Sequence, residues 1–497
     1  RDGELFVFDR NGIWRLRDTN ADGEADVHEL FTNAFGQTMA LNEYSNTMKL
    51  APDGSFVIAK KGLQNPTLGQ MNGTVLRVSP DGRSSTLLGW GFRQPFLGVD
   101  PRTGLITASD QEGNYVPATP LYVVRGTTYH GFLGPQAPKE EYPAPIDDPL
   151  TWIPRTVSAS GASQVWLRDA RMGPLNDALI YVSYNRPELF VVRLIERHAR
   201  PSAVVVSLTR QFDFSPLSAA VNPVDGQLYV AGFKIYGSGA KRVSGLARVR
   251  YTGRPSGLPR EIVPATEGVL LRFDVELAPE KALDLANYAV ERWNYRRTAA
   301  YGSPHYKLDG TKGQDRLEPA SIYLSRDRRA VFLGLPAMRT GVMQMQLAWK
   351  LSLRDGTAFE NLAHFTPFAL AKFDPVAEGF EPLTVDLTPR RQPATAPARL
   401  PPTRQEGERL ALAVGCAACH TITGAAQLGP SWLGLFGSKR TLANGTTVVA
   451  DEAYLRESIT EPAAKVVPGF EAPMPSYGGI LDESQVESLM LYIKGLP

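Results

Sequence analysis

Only two of the 497 residues are cysteine, and they stand three positions apart with a histidine directly after them, as Cys416-Ala417-Ala418-Cys419-His420. One such pair excludes a disulfide framework and leaves a redox dithiol, half of a zinc site or a haem attachment. Zinc asks for four ligands, and the chain has no further cysteine to offer. A thioredoxin-like dithiol needs a βαβ setting, which the surrounding residues lack. The adjacent histidine favours the third reading, because C-x-x-C-H is the c-type haem attachment pattern. On a helix both thiols fall on one side, where each can add to a vinyl group, and His420 follows as an iron ligand. One covalent haem c is therefore expected, held by Cys416 and Cys419. A thioether is expected on the opposite side of the iron, since His/Met ligation suits electron-carrying cytochromes c. Met474, between two prolines on a loop, is preferred over Met490, which falls on the apolar face of the last helix.

The rest of the chain is too long for one core. Residues 1–255 read as short alternating strands such as Phe56–Ala59, Thr74–Val78 and Leu228–Ala231, punctuated by Asp53-Gly54, Asp81-Gly82 and Asp225-Gly226. Radial repetition of small sheets fits this spacing, so a β-propeller is expected, with an array of β-sandwiches as the alternative. Residues 256–372 carry further alternating runs and are expected to form an Ig-like β-sandwich module. Residues 373–404, with Pro389, Pro393, Pro397, Pro401 and Pro402, read as an extended linker. Helical periodicity occupies 405–497, over Gln405–Val414, Glu452–Glu461 and Ser484–Lys494. The fold class is thus multidomain and mainly β, followed by an all-α domain.

Formal net charge is +2 with no basic block, which argues against nucleic-acid binding. No apolar run reaches bilayer-spanning length. The chain begins at Arg1 without a signal peptide, and its N-terminus is expected to lie upstream. Near the start, Asp18, Asn20, Asp22, Glu24, Asp26 and Glu29 follow the pattern D-x-N-x-D-G-x5-E. Alternating hard oxygens around Gly23 suit calcium on a β scaffold; an acidic solvated turn is the other reading.

Two resemblances add to this. Residues 405–497 resemble class I cytochromes c, especially the domain fused to some haem–copper oxidase subunits. The likeness rests on Gly415–His420, Leu428–Gly437, Ala453–Ser458 and Met474–Tyr477. It implies that the Pro430 carbonyl accepts the proton on the second nitrogen of His420, and that Trp432 and Tyr477 line the haem pocket; both aromatics also suit a plain core. Gly73–Gly82, Gly91–Pro95 and Ala108–Asn114 resemble glucose/sorbosone dehydrogenase propellers, as found in bacterial propeller–cytochrome fusions of the membrane-bound dehydrogenase type. That resemblance implies pyrroloquinoline quinone (PQQ) as cofactor. Arg93 would pair with one of its oxygens, Gln94 would stand where the family has Asn, and Gln111 would lie at its rim. A blade-to-blade ion pair is the plain alternative for Arg93. The family's histidine base has no counterpart between His28 and His130, and 1–255 is short for a full propeller, which implies further blades upstream.

The expected function is that of a periplasmic or secreted oxidoreductase. The propeller would oxidise a sugar or alcohol, and electrons would pass through the haem to another cytochrome or a terminal oxidase. A carbohydrate- or partner-binding propeller fused to an electron relay is the alternative.

Overall fold

In the computed structural model the described residues are 1–36, 43–63, 71–134, 145–197, 200–209, 212–235, 238, 240–389, 401–470 and 474–497. The N-terminal half is a succession of antiparallel sheets. The first holds Leu5–Phe8, Ile13–Arg17 and Val27–Thr32. The second holds Ser45–Leu50, Phe56–Lys60, Thr74–Val78 and Ser85–Trp90, with Thr128–Tyr129 added in parallel. The third runs through Phe96–Val99, Ile106–Ser109, Thr119–Val123 and Thr151–Ile153. A further sheet begins with Gly161–Trp166, and Ser218–Val221 opens the three-stranded sheet after it. The first strand of each sheet from the second onward meets the first strand of the next, in the order Ser45–Leu50, Phe96–Val99, Gly161–Trp166, Ser218–Val221. Inner strands in sequence around a common centre are the arrangement of propeller blades.

The repeated turns have a local cause. In each Asp-Gly pair the aspartate carboxylate accepts the backbone N–H two residues on: Asp53 from Ser55 at 3.0 Å, Asp81 from Arg83 at 3.1 Å, Asp225 from Gln227 at 2.9 Å. The glycine between them takes a positive φ, +80° at Gly54 and +74° at Gly82.

The expected division at 255/256 falls between two sheets, one ending in Ser244–Val249 and the next beginning with Pro259–Ala265, while another ladder spans the two halves. Gly161–Trp166, Leu179–Ser183, Glu188–Ile195 and Ser202–Ser207 continue directly into Ala358–Phe365, Gln344–Ser352, Tyr288–Trp293 and Asp315–Leu317 as one eight-stranded sheet. The junction is the register Val204↔Phe365, Val205↔His364, Val206↔Ala363. A four-stranded sheet of Pro259–Ala265, Gly268–Phe273, Ala330–Gly334 and Ser321–Leu324 packs on it as the second layer of a sandwich. Val269, Leu271 and Phe273 share one apolar cluster with Val290, Leu347, Trp349, Val204 and Val206. Burial on both faces of Ser202–Ser207 makes this strand a wall shared by the two halves.

Part of the span 373–404, expected as linker, docks on the sandwich. Phe373 and Phe380 are buried, and the Phe373 ring stacks on Phe332 with centroids 3.6 Å apart. Asp386 is bound through its N–H to the Tyr323 hydroxyl at 2.8 Å. The prolines do not prevent these aromatics from docking on the sandwich. Pro393 and Pro397 lie outside the described residues.

The C-terminal helices are Arg404–Ala413, Glu452–Thr460 and Glu483–Lys494. Their starts are set by Thr403, Asp451 and Asp482, whose side chains accept N–H groups of the first turn; Asp482 and Gln485 form a capping box. Leu410, Leu455, Val486, Leu489, Met490 and Ile493 close a separate small core. The first and last helices cross at Gly407, where a Cβ would fall on the Ser488 carbonyl. Gly407→Val is therefore expected to cost about 1–3 kcal/mol through overpacking. The check is a lowered melting temperature for the C-terminal domain, with the β domains melting unchanged.

Among the described residues no helix is long and apolar enough to cross a membrane.

Candidate functional site

The helix Arg404–Ala413 ends where Gly415 takes a left-handed φ of +87°, and a short 3-10 turn over Cys416–Ala418 follows. This reversal brings the two thiols and His420 together. Cys416 is buried and Cys419 half-buried. Burial pushes the Cys416 thiol up to about 12, with Arg155 acting against the shift, and raises Cys419 as well.

The imidazole of His420 is oriented by three neighbours. Its Nδ1 lies 2.8 Å from the Pro430 carbonyl oxygen. A carbonyl only accepts, so Nδ1 carries the proton and Nε2 keeps its lone pair. Burial pulls the ring's pKa down, against the pull of that carbonyl, and so keeps it neutral. Trp432 stacks on the ring at a centroid distance of 5.0 Å. Gly429 completes the seat, since a Cβ there would lie 2.8 Å from the imidazole Cε1. Tyr477 is buried and donates its hydroxyl to the Val414 carbonyl at 2.6 Å, tying the loop after Met474 to the end of the first helix. Met474 is half-buried and outside the apolar cluster, whereas Met490 is buried within it; Pro473 lies outside the described residues. A neutral imidazole with a free nitrogen, beside two thiols, is the donor set a covalent haem requires.

The propeller candidates are partly united. Arg93 Nη1 donates to the Gln111 side-chain carbonyl at 2.8 Å, and Gln111 Nε2 donates to Ser160 Oγ at 2.7 Å. Gln94 joins only through its backbone: the N–H groups of Arg93, Gln94 and Gln111 all converge on the Asp110 carboxylate, at 2.7, 2.6 and 2.8 Å. Burial pushes the Asp110 carboxyl up to about 6 in spite of those three donors. Its folded pKa thus lies above the unfolded one, so the folded state holds the proton more tightly. Stability from this group is present below about pH 4 and is lost as pH rises through 6. Unfolding in urea should therefore show a loss of about 2–3 kcal/mol between pH 4 and 6.5 that is absent in Asp110→Asn.

Three residues not singled out in the sequence complete this cluster. Arg155 forms an ion pair with Glu112, their side chains 10% and 2% exposed. The Arg93 and Arg155 guanidinium groups lie 5.1 and 5.6 Å from the centre of the Tyr301 ring. Arg155 also lies 5.7 Å from the Tyr477 ring, so the propeller cluster and the C-x-x-C-H segment are neighbours. Glu112 stands inside Ala108–Asn114, one of the segments that carry the propeller resemblance; nothing local marks Arg155, which arrives from a loop after Thr151–Ile153. Ser109 Oγ and Asn185 Nδ2, buried beside this cluster, have no hydrogen-bond partner among the described residues.

Elsewhere the expectations meet other partners. His130 is fully buried, stacked on Phe92 at 4.1 Å and flanked by Tyr122, and burial pulls it down to about 4. It is a neutral core residue. In the acidic loop, Asp18 accepts from the Ala21 and Gly23 N–H groups at 2.6 and 2.8 Å, Asn20 from Asp22, Asp22 from Glu24, and Asp26 from Thr19. Glu29 turns instead to Arg15 at 2.6 Å. Among the described residues no group of three or more His, Cys, Asp or Glu is placed to hold a metal ion. The physical reason is that Glu29 sits on a strand beside two arginines, and the loop's other oxygens cap its own backbone. A cavity of about 620 Å³ lies at Arg197, Glu261, Arg272 and Glu378, where the charges pair with one another.

Residues 405–497 match the family model described as Cytochrome c. No curated protein matches the chain. Among solved structures, a glucose dehydrogenase is 16% identical with a TM-score of 0.37, covering 48% of this chain and 73% of that one. The PQQ-bound aldose sugar dehydrogenase of Streptomyces coelicolor is 14% identical with a TM-score of 0.36, covering 50% and 75%. The holo PQQ domain of pyranose dehydrogenase from Coprinopsis cinerea is 13% identical with a TM-score of 0.28, covering 55% and 76%. Likeness at this level leaves the chemistry to the residues themselves.

Proposed function

We propose that this chain, whose residues 405–497 are a cytochrome c domain, is an extracytoplasmic electron-transfer protein in which the propeller face supplies electrons to a C-terminal haem c. The observation that carries this reading is the His420 seat: Nδ1 committed to Pro430, Nε2 unprotonated, both thiols adjacent. Cys416 and Cys419 would carry the thioether bonds, His420 would face the iron, and Met474 would serve the other side. Haem supplies one-electron acceptance and donation when bound. The surrounding residues do the rest. Pro430 holds the imidazole proton at Nδ1, Trp432 and Gly429 fix the ring plane, and Tyr477 anchors the loop that carries Met474.

On the propeller side, oxidation of an alcohol to a carbonyl releases two electrons and two protons. Arg93 and Gln111 would hold a quinone of the PQQ class, which supplies two-electron acceptance when bound, and the unpartnered donors of Ser109 and Asn185 suit its oxygens. The electrons leave one at a time to an external redox protein. Covalent haem attachment outside the cytoplasm is the basis for a periplasmic or secreted location. A second reading, a carbohydrate-binding propeller with an electron relay, draws support from His130, which is fully buried and stacked on Phe92 as a core residue and so unsuited to act as base.

The test is anaerobic haem reduction with a panel of sugars and alcohols, with and without PQQ and calcium. Reduction that requires both substrate and quinone supports the oxidoreductase. Retention on polysaccharide without any reduction supports the second reading.

A further inference from the structure

The buried Arg168–Asp100 pair joins the ends of two neighbouring sheets of the propeller. Arg155 and Glu112 differ, because they face another domain. Glu112 belongs to the segment after Ile106–Ser109, yet Arg155 is the residue that reaches the Tyr477 ring of the cytochrome domain. Tyr477 donates its hydroxyl to the Val414 carbonyl, two residues before Cys416, so the guanidinium stands close to the attachment segment. Tyr301 lies between Arg93 and Arg155. The contact is reinforced at its edge by the Lys312–Glu461 ion pair and by close packing of Gly479 on His305 and Gly313. Charges so far from water are weakly screened and act over longer distances than surface charges do.

We propose that Arg155 and Glu112 act in opposite senses on the reduction potential of the C-terminal haem from the propeller side, and that their pairing balances the two. This rests on the reading of residues 405–497 as a haem-carrying electron-transfer domain. A cation held near the attachment thiols disfavours the oxidised, more positive iron and raises the potential; the Glu112 carboxylate opposes it. The pair keeps the net effect small, and each partner alone would be felt in full. The site that would donate electrons and the group that tunes their acceptor are thus one cluster, since Arg93 and Arg155 share the Tyr301 ring.

The experiment is potentiometric titration of the intact haem-loaded protein, read from its visible spectrum. Arg155→Gln leaves the carboxylate opposed only by the more distant Arg93 and is expected to lower the potential, by at least a tenfold change in the reduction equilibrium, or about 59 mV for one electron. Glu112→Gln leaves the cation unopposed and is expected to raise it by a similar factor. The double replacement is expected to return toward the parent value, and Arg155→Lys, which keeps the charge, is expected to stay near it. Opposite shifts with return in the double variant support the proposal. Unmoved potentials, or shifts of one sign in both single variants, overturn it, because a merely structural pair would disturb the fold alike from either side. Protein that carries no covalent haem at all would overturn the underlying reading, and this proposal with it; covalent haem with unmoved potentials overturns only this one.

Discussion

Replacing Cys416 and Cys419 together by alanine is expected to abolish covalent pigment completely. Protein matured with a haem-attachment system should stain for haem after denaturing electrophoresis, and the double variant should not. The reason is the chemistry of the pair. Haem held only by axial ligands leaves a denatured chain, whereas thioether bonds survive unfolding. The chain has no further cysteine to complete a zinc site, so the pair is left to the covalent role. His420→Ala is expected to retain the pigment and lose the low-spin spectrum, since attachment needs the thiols and ligation needs Nε2. Pigment extractable from the parent protein into acidified organic solvent would defeat the haem reading outright.

Cutting the chain after residue 255 is the second change with a large expected effect. Residues 1–255 expressed alone are expected to be insoluble or to melt without cooperativity. The strand Ser202–Ser207 would lose its partner Ala358–Phe365, and three registered pairs at Val204, Val205 and Val206 would expose a flat apolar edge. Such an edge invites aggregation. The same cut opens the apolar cluster that joins Val204 and Val206 to Leu347 and Phe365. Within the intact chain, Trp349→Ala, which removes a fully buried ring packed against Phe273, is expected to cost about 3–5 kcal/mol. A soluble 1–255 fragment with a sharp transition at the parent's temperature would show that the shared sheet is dispensable.

Much of the site was legible because its parts are close in sequence. The C-x-x-C-H spacing needs five residues, and the Pro430 carbonyl that orients His420 lies ten positions on. Helix starts at Thr403, Asp451 and Asp482, and turns at Asp53, Asp81 and Asp225, are formed by side chains bonding backbone two or three residues away. Such features are determined by local chemistry, which a reading of residue types captures. The acidic loop shows the limit of that reading. Its spacing matches a calcium pattern, yet Glu29 is drawn to Arg15 across a strand pair, a partner that spacing alone does not reveal.

What only the tertiary structure decided depends on residues far apart in the chain. The sheet that crosses residue 255 joins Val204 to Phe365, and alternation within either strand is the same whether they pair or not. Phe373 and Phe380 sit among prolines and alanines, and their burial depends on Phe332 offering a face. Arg155 has no local mark. Its role comes from meeting Glu112, Tyr301 and Tyr477, which lie in three separate parts of the chain. Backbone bonding patterns are written within a few residues, whereas the burial that gives a charge pair its long reach exists only once the domains have closed over it.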